Sequence, residues 1–422
     1  MADTIILGAG IAGLGAGYAL RQKGEPCIIL EKDDTYGGLC GNFTIHGFRF
    51  DRFVHFSFAK DEAVNVLFRE GSPEVWRHAP IAYNIYHGKW IKHPAQNNLF
   101  PLEEGEKERI IQDFLKRKNP VGVEIRNYEE WLRIQFGDYF AEHFPMVYTR
   151  KYWMREAREL ETRWVGNRLY QPSVEEVIKG SKTTETPTTY YAKEMRYPKK
   201  GGYKQFLFKL AEGADIRFNE GVVRIDPRER MVFTASDRQF AYDRLISSLP
   251  LPALIQMLPD VPETVHAATD ELACTCGYLI SIGLKTLNIP PYLWWYIYDE
   301  ENLAARVYSP SLKSPDNAPE GCSSLQMEVY CRPGQYSDAE LRERTIGHLL
   351  RLRVIKEDDI LFVDIRFEPY ANVIFEPGIY ENRGIVRDYL KSIGVETIGR
   401  FGEWDYLWSD QSLLSGLSVA NR

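Results

Sequence analysis

The stretch TIILGAGIAGLGAGYALRQKGEPCIILE, residues 4–31, decides the fold. Its first four residues are a short apolar run that reads as a strand, and the small and apolar positions behind it recur at helical spacing until Gly24. A second apolar run, PCIILE, follows at once. Strand, helix and strand within about 30 residues form the unit that opens a dinucleotide-binding sheet. Gly8, Gly10 and Gly13 make G-x-G-x-x-G at the first turn, and Glu31 ends the second strand 18 residues after Gly13. The first glycine permits a tight turn, the second lets a pyrophosphate approach the backbone, and the third allows helix and strand to pack closely. The helix N-terminus stabilises phosphate charge, and Glu31 can accept from ribose hydroxyls. The motif by itself leaves open whether a nicotinamide or a flavin dinucleotide is held.

Outward from this unit, 422 residues with 44% hydrophobic and 26% charged positions suffice for two or three domains with cores of their own. A net charge of -7 argues against a nucleic-acid partner, so an anionic ligand has to be held by a few specific arginines. Cys27, Cys40, Cys274, Cys276, Cys322 and Cys331 include no C-x-x-C pair, which suggests neither a metal site nor a disulfide framework but buried thiols in a reducing compartment. The start MADTIILGAG shows no basic leader, and no later apolar run is long enough for a bilayer, so the expectation is a cytoplasmic chain without membrane insertion.

Residues 103–180 are rich in Glu, Arg, Lys and Trp and read as several helices. SKTTETPTTYYAKE, 181–194, reads as a polar loop that serves as a lid or as a plain linker. VVRIDPRERMVFTASDRQFAYDRLISSLP alternates like a β-meander returning to the first sheet, and strand patterns between about 265 and 370 indicate a second sheet. The last 25 residues read strand, glycine-rich loop, helix.

GGLCGN, residues 37–42, adds a second glycine pair after Glu31. This resembles the FAD-binding domains of the amine oxidase and protoporphyrinogen oxidase superfamily, and the resemblance implies FAD. Within that superfamily the chain is most similar to the UDP-galactopyranose mutases. Five ordered segments carry the likeness: the fingerprint with FDRFVHF; KHPAQNNL; FPMVYTRKYW continuing to RWVGNRL; LWWYIYDEENLAARVYS; and GRFGEWDYLWSDQSLLSG. The fold implied is α/β, with a discontinuous Rossmann-like FAD-binding domain (1–76, 195–260 and 392–422), an inserted helical domain (103–180) and a second, mostly antiparallel sheet domain (77–102 with 261–391).

The resemblance implies an isomerase that interconverts pyranose and furanose forms of a nucleotide-diphosphate sugar. Reduced FAD, primed by NAD(P)H or another reductant, would attack the anomeric carbon through N5. Arg168 and Arg306 stand where the family has its diphosphate-binding arginines, and His55 stands where it has a flavin neighbour. A histidine there can change charge near neutral pH. Tyr148, Phe144 and Gln96 match contacts to the nucleotide, and Trp153, Tyr296, Tyr370 and Tyr406 match the sugar and diphosphate surroundings. Phe144 and Tyr148 are also four apart, the spacing of one face of a core helix. Arg400, Asp410 and Gln411 match residues near the flavin, with Gly38 in the second glycine pair. Three positions depart from the pattern. Thr149 replaces an asparagine, which leaves the base open, and Phe53 and Val54 replace a Gly-Gly or Gly-Pro pair before the histidine. The alternatives are an FAD-dependent oxidoreductase, whose amine substrate would need no pair of cations, and a flavin-binding protein without catalysis.

Overall fold

The computed structural model describes residues 4–117, 123–166, 168–189 and 192–421. Asn167 of the RWVGNRL segment and two residues of the expected 181–194 loop, Tyr190 and Tyr191, lie outside these.

Strands Thr4–Leu7 and Cys27–Leu30 flank helix Ile11–Gln22, as their apolar runs and the helical spacing between them require. They form the middle of a five-stranded sheet in the spatial order 395–397, 244–247, 4–7, 27–30, 215–217, every pair parallel. Parallel strands are covered on both faces, so they read as unbroken apolar runs; Ile5, Ile6 and Leu7 are at most 1% exposed. The meander Val222–Asp226, Met231–Thr234 and Gln239–Ala241 is a separate antiparallel sheet, from which the chain returns to the parallel sheet at Arg244–Ser247.

A second, seven-stranded sheet is antiparallel except where Ala82–Tyr86 runs parallel to Trp294–Ile297. Its inner strand Ser323–Cys331 is buried along its whole length. Helices Glu104–Lys116, Tyr128–Phe136, Asp138–His143, Pro145–Trp153 and Val174–Lys182 fill the predicted helical region. The chain is thus an α/β protein with a parallel Rossmann-like sheet and a separate, mostly antiparallel one. Among the described residues no helix is long and apolar enough to cross a membrane.

Candidate functional site: one cavity from the glycine turn to two arginines

A cavity of about 840 Å³ opens at the carboxyl end of the parallel sheet and is walled on its far side by the antiparallel one. Ligands of open parallel sheets bind at this end. At its near end Gly8 has a φ of 91°, and its N–H donates to Leu30 O at 2.8 Å. A Cβ on Gly13 would collide with the Gly8 carbonyl oxygen, whereas one on Gly10 would meet nothing within 4 Å because Gly10 faces the cavity. The second glycine pair lies against the first: Gly37 N–H donates to Ala9 O at 2.9 Å, and a Cβ on Gly38 would come within 3.2 Å of Gly10 Cα. Glu31 Oε2 accepts from Ala9 N at 2.7 Å and Oε1 from Asp33 N at 3.0 Å. The acid therefore fixes the turn from a position on the cavity wall.

At the far end Arg306 and Glu328 are cross-strand partners. Arg306 Nε and Nη2 donate to Glu328 Oε2 at 2.9 and 2.6 Å, and Tyr330 donates to the same oxygen at 2.7 Å. Val54 N–H occupies Oε1 at 2.7 Å. Burial works against the charge of Arg306, but Glu328 and the neighbouring tyrosines outweigh it and keep the guanidinium ionised. Nη1 takes no part in the pair. Arg168 donates to Trp164 O and Tyr406 O, both at 2.8 Å, and its guanidinium carbon lies 4.5 Å from the Tyr406 ring centre and 5.1 Å from that of Trp408. Its buried Nε has no hydrogen-bond partner among the described residues, and the same holds for Arg400 Nε. A buried donor left unpaired is costly unless a ligand completes it.

Between the two ends stands a cluster of tyrosines. Tyr148 stacks on Tyr152 at 5.3 Å and meets Tyr296 edge-on at 5.3 Å. Asn372 Oδ1 accepts from Tyr152 OH at 3.0 Å and from Arg400 Nη2 at 3.1 Å, joining the arginine to the cluster. Burial raises the hydroxyls of Tyr148, Tyr152 and Tyr330 well above the usual phenol range, so they keep their protons as donors.

The cavity thus brings together Gly8, Gly10, Glu31, Gly38, His55, Tyr148, Trp153, Arg168, Tyr296, Arg306, Tyr370, Arg400 and Tyr406. Five expected residues are not on its wall. Gly13 supports the turn from behind. Phe144 is fully buried, with its ring 4.6 Å from Phe140 and 4.4 Å from Tyr86, so it is core rather than half of a nucleotide slot. Gln96 Nε2 donates to Tyr170 O at 2.7 Å. Gln411 accepts from Trp408 N–H at 2.9 Å, capping the helix Ser409–Leu417. Asp410 shares that first turn, but Ser409 and Ser412 are the residues that face the cavity, which is a difference of helical phase.

His55 also differs from expectation. Burial lowers its pKa to about 4 and Asp51 opposes this only in part, so the ring is neutral at pH 7 and lies tilted against Tyr203 with centres 5.0 Å apart. Glu328, Tyr330, Tyr152 and Asn372 went unrecognised in the sequence. The available signal was a lone acid inside the strand SSLQMEVYC.

A family model described as flavin containing amine oxidoreductase matches residues 11–367. The crystal structure of a reduced UDP-galactopyranose mutase superposes with a TM-score of 0.93 at 23% identity, covering 100% of this chain and 95% of that one. A putative protoporphyrinogen oxidase from Exiguobacterium gives 0.76 at 17% identity over 99% of this chain and 97% of that one. Putrescine oxidase bound to putrescine gives 0.68 at 16%, over 99% and 98%. Among curated proteins, the all-trans-retinol 13,14-reductase of Homo sapiens is 28% identical over 123 residues, 28% of this chain and 19% of the relative. The 1-hydroxycarotenoid 3,4-desaturase of a Flavobacterium is 43% identical over 51 residues, 12% of this chain and 10% of the relative. The match thus spans less than a fifth of the length of either relative.

Proposed function

The chain belongs to the flavin containing amine oxidoreductase family, and within it we propose that it is an FAD-dependent isomerase interconverting the pyranose and furanose forms of a nucleotide-diphosphate sugar. The observation that carries this reading is that Arg168 and Arg306 line the same aromatic cavity as the glycine turn.

The residues present fit FAD. The open face at Gly10 and the start of helix Ile11–Gln22 suit the pyrophosphate, Glu31 suits the ribose, and the orphaned Nε of Arg400 suits the flavin end. Bound and reduced, FAD supplies the nucleophile for the anomeric carbon. The chain's own residues serve the leaving group. Nη1 of Arg306 and Nε of Arg168 donate to diphosphate oxygens, where negative charge builds as the glycosidic bond breaks. The protonated hydroxyl of Tyr148 adds a neutral donor and its ring offers a face to the base, while the hydroxyls of Tyr152 and Tyr330 hold Asn372 and Glu328 in place. The aromatic wall keeps bulk water from the reacting carbon. Six free cysteines support a reducing compartment, the cytoplasm, for this activity.

One observation favours an oxidoreductase instead: Glu328 already neutralises Arg306. Binding separates the two readings. Arg306→Ala is expected to keep FAD and to bind a nucleotide-diphosphate sugar more than tenfold more weakly in calorimetry. Unchanged affinity would remove the diphosphate role and favour the oxidoreductase.

A further inference from the structure

Phe53 has a φ of 63°, in the left-handed region where glycine is the residue of least strain. A side chain is kept there only when its surroundings hold it, and here they do. Its ring lies parallel to that of Tyr330, within 1° and 6.0 Å apart. The opposite strand makes room with Gly277, where a Cβ would come within 2.9 Å of Phe53 Cζ. Leu279, Ala305 and Ala371 complete this apolar cluster, and Phe53 is on the cavity wall.

The polar groups beside the ring are already engaged. Phe53 O accepts from Tyr308 OH at 3.2 Å and lies 3.3 Å from His55 Nδ1, and Val54 N–H is held by Glu328. Tyr330 both stacks on Phe53 and donates to Glu328, the partner of Arg306. Tyr330 and Glu328 thus link the ring to the cation assigned to the diphosphate, and the part of a ligand that reaches it is the sugar. A sugar hydroxyl set against this wall would give up water and meet carbon, which is costly.

We propose that Phe53 determines specificity at the sugar end of the cavity, selecting a 6-deoxyhexose nucleotide, whose methyl group packs on the ring, over a hexose bearing a 6-hydroxymethyl group. This rests on the isomerase reading for the position of the sugar. The test is titration of the flavoprotein with UDP-galactose and UDP-6-deoxygalactose, which share the base and differ by one hydroxyl. The wild type is expected to bind the deoxy form at least tenfold more tightly. Phe53→Gly, which suits the backbone, is expected to narrow the gap below threefold by gaining affinity for UDP-galactose, with Phe53→Leu giving an intermediate gap. Equal affinities in the wild type, or an unchanged gap in Phe53→Gly, overturn the proposal, as does failure of both ligands to bind. If both bind but the reduced protein does not isomerise them, the isomerase reading fails, and the affinity gap still decides the role of Phe53.

Discussion

Glu328 is completely buried and accepts from Arg306, Tyr330 and the Val54 backbone. It ties the 53–55 segment to the cation through one carboxylate. Removing one partner of a buried pair leaves an uncompensated charge and costs about 3–5 kcal/mol. Glu328→Ala is accordingly expected to lower unfolding free energy by roughly that amount, measured from the urea midpoint and slope. A loss below about 1 kcal/mol, the level of an exposed pair, would show that Arg306 finds water instead. Arg168, Arg306, Tyr148, Tyr296, Tyr370 and Tyr406 were placed by the resemblance of their segments, and all six line the cavity, whereas Tyr152 and Tyr330 were not singled out. Glu328 was not, because its pairing with Arg306 is a matter of strand register across 22 residues. Phe144, for which the sequence left a nucleotide contact and a core position open, caps a junction between two helices and packs on Phe140 and Tyr86.

At the scale of elements, the contact between helix Ile11–Gln22 and the C-terminal helix Ser409–Leu417 shapes one wall of the cavity. The two cross through glycines: a Cβ on Gly416 would collide with Ala12 O, and one on Gly15 would come within 2.8 Å of the Leu413 side chain. The first turn of the C-terminal helix puts Ser409 and Ser412 on the cavity wall, so a displaced helix also displaces the site. Gly416→Val is expected to destabilise by about 1–3 kcal/mol through overpacking and to lower the flavin content of the purified protein, read from visible against ultraviolet absorbance. Full flavin loading at unchanged stability would contradict this contact. The opening strand, helix and strand were readable because their hydrophobic periods are clean and the glycines fall at the turn. The phase of the C-terminal helix was not, since its apolar positions are few and the capping contact of Gln411 with Trp408 fixes its start. The pairing of Ala82–Tyr86 with Trp294–Ile297 joins segments about 200 residues apart, and no local pattern announces it.

For the whole molecule, two half-buried neutral histidines contribute to sensitivity to acid. Burial lowers the pKa of His55 to about 4 and of His93 to about 3, from an ordinary value of 6.5. Between those values and pH 6.5 the unfolded chain binds protons that the folded chain refuses, so stability rises with pH across this window and falls on acidification. The urea midpoint is expected to drop as pH is lowered from 6.5 towards 4, and His93→Gln is expected to flatten that slope. A midpoint independent of pH over this range would mean that both rings gain protons in place. The same burial implies that the charge of His55 does not change near neutral pH.

The central claim, ring isomerisation in a flavin cavity closed by two arginines, is tested most directly by incubating the dithionite-reduced flavoprotein anaerobically with UDP-galactose and with UDP-6-deoxygalactose and separating the products chromatographically. A furanose product is expected from at least the deoxy sugar, none with the oxidised protein, and less than a tenth of that rate with Arg306→Ala. Absence of any furanose under strictly reducing conditions, with steady oxygen consumption when an amine is supplied in air, would contradict it.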